Sequence, residues 1–429
     1  MIPPLILLVA FLLLLALSVP VSFSMILACI LALLSMDGAP IGMVGVKLYA
    51  GIDTFPFLAI PLFILAGSLM EHGGISERLV RLARSLVGHI RGGLGFVVIV
   101  SEVFFSGISG SSIADASAIG SLLLPSMVKA GYRPAQATAI VAAATGMGMM
   151  IPPCLNMVVL GAVSNLSIAG LFVGGLVPGL LMAISLLVVI YIQACRGTLP
   201  AAHEARPSWR ELRRAIGDSL IPLMMPVIIF GGIRAGIFTA TEGAAVAAAY
   251  AFVVSVFIYR QMTLSDVYRV LTNTAVLTGV VCLLVGAATL FSWILAAQGV
   301  PDLIGRTIGA APGGQWTFLA LSIVLFLAFG MVLDGLPAIL IFFPIMLPLA
   351  LAMQVDPLHY GVLVIAVIGI AIVAPPVGLC LVILCGLSGT KVTETTRPLL
   401  PYLAVLGLDL AIIAAWPWLV LALPRFFRL

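Results

Sequence analysis

A chain of 429 residues that is 62% hydrophobic and 8% charged, with a mean hydropathy of +1.28, is excluded from the ordinary soluble globular proteins and reads as a polytopic membrane protein. Its formal charge of +4 is small, and its basic residues gather in short segments between apolar stretches, so membrane lipid is an expected partner and nucleic acid is not. The six cysteines (Cys29, Cys154, Cys195, Cys282, Cys380, Cys385) sit in or beside apolar segments without metal-ligand spacing, which predicts free buried thiols.

Residues 2–36 are apolar with a break at Pro20 and predict either two short spans or one long kinked helix. They lack the basic n-region of a secretory leader, so they are expected to stay in the membrane. The next span, 44–71, carries Pro56 and Pro61 and runs into EHGGISERLVRLARSLVGHIRGG. There Arg78, Arg81, Arg84 and Arg91 lie apart from Ile75, Leu79, Leu82 and Leu86, the pattern of an amphipathic helix at the cytoplasmic surface.

Residues 93–128 then hold FSGISGSSIADASAIG, where Ser106, Gly107, Ser109, Gly110, Ser111, Ser112 and Asp115 interrupt an apolar run. Such a polar break is tolerated in hydrocarbon only where protein or a water-filled cavity surrounds it. About thirteen residues (94–106) precede it, against the roughly 20 a crossing needs, so the segment predicts a re-entrant hairpin whose Asp115 faces the positive end of the returning helix. The run 134–165 is broken by Pro152 and Pro153, which remove two backbone donors and free carbonyls that need partners.

Residues 168–194 lead back to the cytoplasmic loop from Arg196, which carries five arginines. An out-and-back pair follows, 219–233 and 240–259, with Thr239 and Glu242 at capping-box spacing, so Glu242 is expected to be a structural cap. Residues 267–297 cross outward to an external segment with Asp302 and Arg306. A second hairpin, 316–353, breaks at Gly330, Asp334 and Gly335; the run 358–388 breaks at Pro375, Pro376 and Gly378; a last apolar segment covers 399–424. His72, His89, His203 and His359 fall near predicted surfaces.

Sliding the chain on itself by 223 positions superposes Gly107 on Gly330, Pro125 on Pro348, Pro134 on Pro357, Gly146 on Gly369, both members of the two Pro-Pro pairs, and Pro178 on Pro401. Chance would supply about one such identity, so the chain contains a repeat. Loop charge places the first hairpin on the cytoplasmic side and helix counting places the second opposite. Inverted repeats with broken helices are the architecture of secondary transporters, in which half-helix N-termini face anionic substrates and carbonyls hold a cation. The expected fold class is thus an all-α polytopic inverted-repeat ion-transporter fold with two re-entrant hairpins and two Pro-Pro-broken helices, serving a cation-coupled anion transporter.

The stretches FSGISGSSIADASAIGSLLLPSMVKAGY, IPPCLNMVVLGAVSNLSIAGLFVGGLVPGLL, AGIFTATEGAAVAAAYA and DPLHYGVLVIAVIGIAIVAPPVGLCL resemble the large membrane (M) subunit of tripartite ATP-independent periplasmic (TRAP) transporters, and the likeness covers nearly the whole chain. The resemblance implies an elevator-type transport domain moving against a scaffold in the bacterial inner membrane, and sodium as coupling ion with no other cofactor. It also implies a small four-helix membrane (Q) subunit, and a periplasmic binding protein delivering an organic acid such as a C4-dicarboxylate or sialic acid. On that pattern residues 1–92 and 218–314 are scaffold and arms, 93–195 and 315–398 the transport repeats, 196–217 a cytoplasmic loop and 399–429 a C-terminal helix. The chain departs from the family's usual hydroxyl residues at Cys154 and Ala374.

The expected sodium and substrate site comprises Ser106, Gly107, Ser109, Gly110, Ser111, Ser112, Asp115, Pro152, Pro153 and Asn156 from the first half, and Gly330, Asp334, Gly335, Pro375, Pro376 and Gly378 from the second. The alternative is a sodium- or proton-coupled anion transporter without a binding protein. No GxxxxGK[ST] loop, HExxH cluster or nucleophile with its base occurs at recognisable spacing, so neither an intrinsic ATPase nor an intramembrane enzyme is expected.

Overall fold

The computed structural model describes residues 2–36, 40–200, 206–301, 303, 305 and 313–427, without the side chains of residues 2, 108 and 109. His203, Asp302, Arg306 and the Ser109 side chain therefore lie outside the description. Every regular element among the described residues is helical, and eight helices are long and apolar enough to cross a membrane.

The N-terminal alternative resolves into two helices, α1 (Ile2–Ala16) and α2 (Val21–Leu34), which pack on each other. Pro20 caps α2, and having no N–H it cannot continue α1. The expected span 44–71 is also two pieces, α3 (Met43–Ile52) and α4 (Ala59–His72), joined through a tight turn at Phe55–Leu58 that contains Pro56. The amphipathic arm is α5 (Ile75–Val87): Ile75, Leu79 and Leu82 are buried, Arg78 lies 3.6 Å from the Tyr259 ring, and Arg81 reaches Asp218 at 3.7 Å.

The first hairpin is α6 (Gly93–Ser109) and α7 (Ser112–Lys129), the first broken run is α8 (Pro134–Gly148) and α9 (Leu155–Ser164), and α10 (Ile168–Cys195) follows. Next come α11 (Trp209–Arg234), α12 (Ala240–Phe252), whose last turns relax into a π-helix at Val253–Ile258, and α13 (Leu264–Ala297). The loop expected over 196–217 is shorter than that, because Ser208 and Glu211 form a reciprocal capping box that starts α11 at Trp209. Thr239 and Glu242 form the expected box at the head of α12.

The second half holds α14 (Gln315–Leu333), α15 (Gly335–Ala352), α16 (Pro357–Ala371), α17 (Leu379–Ser388), α18 (Val392–Ala415) and α19 (Trp418–Phe427). The last apolar segment thus begins before residue 399 and is cut at Pro417. Pro417 has no N–H for the Ile413 carbonyl one turn earlier, and His359 Nε2 takes that oxygen at 2.9 Å. This draws His359 into full burial, against the expectation that it lies near a surface. Cys195 is exposed, again unlike the expectation for the thiols.

The 223-residue spacing recurs in the elements: α7 maps onto α15 and α8 onto α16 at both ends, and the Pro152-Pro153 and Pro375-Pro376 bonds are both cis. The repeat-related glycines meet. A Cβ on Gly146 would lie 2.6 Å from the Gly369 carbonyl oxygen, and one on Gly369 would strike the Gly146 carbonyl, the reciprocal contact a two-fold axis produces. Around this crossing α8 and α16 are buried along nearly their whole length, which seats the two breaks at their ends inside the protein.

Candidate functional site

At the first tip α6 ends on Gly110 in left-handed backbone (φ 66°), a conformation that costs glycine little, and extended Ser111 opens α7. The Gly110 carbonyl accepts the Leu155 N–H at 3.0 Å, so the tip supplies a partner for the start of α9. A Cβ on Gly110 would sit 3.1 Å from the Pro153 carbonyl and one on Gly107 3.4 Å from that of Pro152; both glycines let the hairpin lie on the Pro-Pro break. Cys154, where a hydroxyl was expected, is the N-cap of α9 and makes no side-chain cap.

Three of the four carbonyls freed by the prolines find backbone donors. Gly148 accepts from Ile151 at 2.9 Å, Ala371 from Ala374 at 3.1 Å, and Ile372 from Cys380 at 3.0 Å, their usual donors being Pro152, Pro375 and Pro376. Each oxygen keeps a second lone pair for a ligand. Gly378 opens α17 with φ 4° and ψ 102°, and a Cβ there would meet the Ala374 carbonyl at 2.7 Å.

The second tip is built differently. Asp334 occupies the position of Ser111 in the repeat, with φ 73° and ψ 164°, a region nearly reserved for glycine, and its Oδ1 accepts the Gly335 N–H at 2.6 Å. Gly330 rests on Ala371, and a Cβ on Gly335 would lie 3.2 Å from the Asn156 Nδ2. The first break therefore reaches the second tip.

Glu102 joins the expected site residues Ser106 and Asp115 in one cluster. Glu102, one turn before Ser106 on α6, is fully buried, as are Ser106 and Asp115. The Ser106 hydroxyl lies 3.1 Å from Glu102 Oε1 and 2.9 Å from Asp115 Oδ2. Two hydrogen bonds need two hydrogens and Ser106 has one, so the cluster requires either a proton on one carboxyl or a bound cation between the two. Glu102 Oε2 has no hydrogen-bond partner among the described residues. Glycine at 148 makes room, since a Cβ there would come within 2.6 Å of Glu102 Oε1. The signal available in the sequence was the i, i+4 spacing of Glu102 and Ser106. Ser106→Ala should leave two carboxylates facing each other unbridged and lower stability by about 1–3 kcal/mol, read as the thermal unfolding midpoint of the purified protein; an unchanged midpoint would refute the bridge.

No group of three His, Cys, Asp or Glu side chains suited to a metal ion occurs among the described residues, which leaves hydroxyl, carboxylate, amide and carbonyl oxygens, the ligands of hard cations.

Comparison with known proteins agrees with this architecture. A solved transporter, YdaH of Alcanivorax borkumensis, shares the fold with a TM-score of 0.67 over 90% of this chain and 91% of that one, at 14% identity. The C4-dicarboxylate TRAP transporter large permease protein DctM of Rhodobacter capsulatus is 36% identical over 422 residues, 95% of each chain. The sialic acid TRAP transporter large permease protein SiaM of Vibrio cholerae is 38% identical over 411 residues, 95% of each chain, and the 2,3-diketo-L-gulonate TRAP transporter large permease protein YiaN of Escherichia coli is 34% identical over 406 residues, also 95% of each. With residues 8–419 matching the family described as tripartite ATP-independent periplasmic transporter, DctM component, this multi-pass membrane chain belongs to the DctM family of TRAP transporters.

Proposed function

We infer that the chain is the large permease subunit of a sodium-coupled secondary transporter that imports an organic acid across the bacterial inner membrane, and that it is not an enzyme. Its partners are a small Q-type membrane subunit and a periplasmic binding protein that delivers the acid. The observation that carries this reading is the meeting of the two halves, with Asn156 beyond the first break against Gly335 at the second tip. The half-helices α7, α9, α15 and α17 begin at the tips and breaks, and helix N-termini favour carboxylate groups. The relatives named for C4-dicarboxylate, sialic acid and 2,3-diketo-L-gulonate support a carboxylate as substrate.

What supports sodium is the donor set, hard oxygens around a buried carboxylate cluster that a cation would complete. Glu102, Ser106 and Asp115 would hold a cation at the first tip, and Asp334 and Asn156 would contribute oxygens at the second. Binding there neutralises the carboxylates and so favours entry of an anion, which is the coupling. The body made of α6–α10 and α14–α18 would carry the site past the α1–α5 and α11–α13 helices in an elevator-type motion.

In vesicles reconstituted with the cognate membrane and binding proteins, substrate accumulation should fall to the passive level when potassium replaces sodium at the same membrane potential. Undiminished uptake in potassium would refute sodium coupling. Full uptake with the binding protein omitted would instead support the reading in which the permease works without one.

A further inference from the structure

Beside the first tip a cavity of about 530 Å³ opens between α6, the first Pro-Pro break and α10 on one side and α11 on the other. Its wall is apolar, formed by side chains such as Val103, Ile151, Leu223, Val227 and Phe230, and its one ionised side chain is Arg234 at the end of α11. That guanidinium stands 4.7 Å from the centre of the Phe427 ring and has no carboxylate within ion-pair distance among the described residues.

The dimensions suit an acyl chain. α11 is of membrane-spanning length, so Arg234 at its end sits at the boundary between water and hydrocarbon. Leu223 comes eleven positions earlier, about 16 Å along the helix at 1.5 Å per residue. A hydrocarbon core is roughly 30 Å thick, so the cavity is about one leaflet deep. It ends at Gly107 and Pro152 of the candidate site. An organic acid would meet one charged donor, Arg234 at the mouth, and lose the rest of its hydration along the apolar wall.

We propose that this cavity is a phospholipid site, with the headgroup phosphate on Arg234 and one acyl chain running along α11 to end against Gly107 and Pro152. Guanidinium pairs with phosphate through two parallel hydrogen bonds, and Arg stacked on an aromatic ring is held ready for that geometry. The chain fills the seam between α11 and the hairpin that carries the first tip. If that hairpin moves past α11, as the transport reading requires, the lipid must slide or leave, and lipid occupancy then sets how freely the tip moves.

Binding can be read without transport. The full chain is placed in nanodiscs containing phosphatidylglycerol with a photoactivatable group at the end of one acyl chain, and cross-linked peptides are located by mass spectrometry. Label should concentrate on residues 103–107, 151–152 and 223–230. Arg234→Gln should lower it about fivefold, the worth of one basic side chain at a phospholipid headgroup, and Arg234→Lys, which keeps the charge without the paired donors, should recover only part of it. Val227→Trp, on an exposed position of the wall, should displace the chain and abolish label there while leaving the remaining lipid-facing helices labelled as before. Label spread evenly over all lipid-facing helices, or label indifferent to Arg234→Gln and Val227→Trp, would overturn the site. Recovery of an organic acid in place of lipid would do so as well. Loss of sodium coupling leaves the labelling result standing, so the two readings fail separately.

Discussion

Replacing Gly146 with alanine is expected to destabilise the protein strongly although it adds a single methyl group to a helix. The new Cβ would lie 2.6 Å from the Gly369 carbonyl oxygen and 3.0 Å from Val373 Cγ2, and the first of these is backbone in a second buried helix that cannot turn aside. Overpacking of this kind costs about 1–3 kcal/mol, and here two helices must separate to relieve it. Gly369→Ala should behave alike, because the contact is reciprocal. Gly279→Ala is the control: its Cβ meets nothing within 4 Å, so alanine there should gain about 0.5–1 kcal/mol from the smaller backbone entropy lost on folding. Thermal unfolding of the three variants in the same detergent separates these outcomes. A Gly146→Ala protein as stable as its parent would mean that α8 and α16 do not cross as closely as described.

Substitutions at Asp334 should separate a structural cap from a cation ligand. Its carboxylate accepts the Gly335 N–H at 2.6 Å, and its backbone holds φ 73°, strain of order 1–3 kcal/mol for a residue other than glycine. Asp334→Asn keeps capping ability and the same backbone strain, while removing the charge. Asp334→Gly removes charge and cap but relieves the backbone. Asp334→Ala keeps the strain and loses the cap, so it should be the least stable of the three by about 1 kcal/mol. If the carboxylate holds sodium or lies next to it, both the Asn and the Gly protein should need about tenfold more sodium for half-maximal uptake, a change of ~1.4 kcal/mol. Normal sodium dependence in both would make Asp334 a cap alone, retained for its hydrogen bond to Gly335.

Proline and glycine made most of the architecture legible in the sequence, because their effects are local. Pro152, Pro153, Pro375 and Pro376 break helices wherever they stand, and their common offset of 223 residues revealed the repeat before any contact was known. The capping boxes at Thr239 and Ser208 work through the same short range, although the second was passed over inside a charged loop. The resemblance to TRAP permeases rested on the same stretches around the tips and breaks.

What the chain could not disclose from local pattern depends on which surfaces meet. Glu102 and Asp115 share Ser106 only because the hairpin closes, and Asn156 reaches Gly335 only because α9 packs on α15. His359 looked like a surface residue beside Asp356 and is buried because Pro417, far along the chain, leaves one carbonyl open. Arg234 follows the span 219–233 in the sequence, and only the fold placed it at the mouth of an apolar cavity leading to the first tip. Composition, periodicity and backbone-restricting residues act over a few positions and so determine where helices start, break and stop. Burial and charge pairing are set by contacts between residues distant in sequence, and the tertiary structure alone decides those.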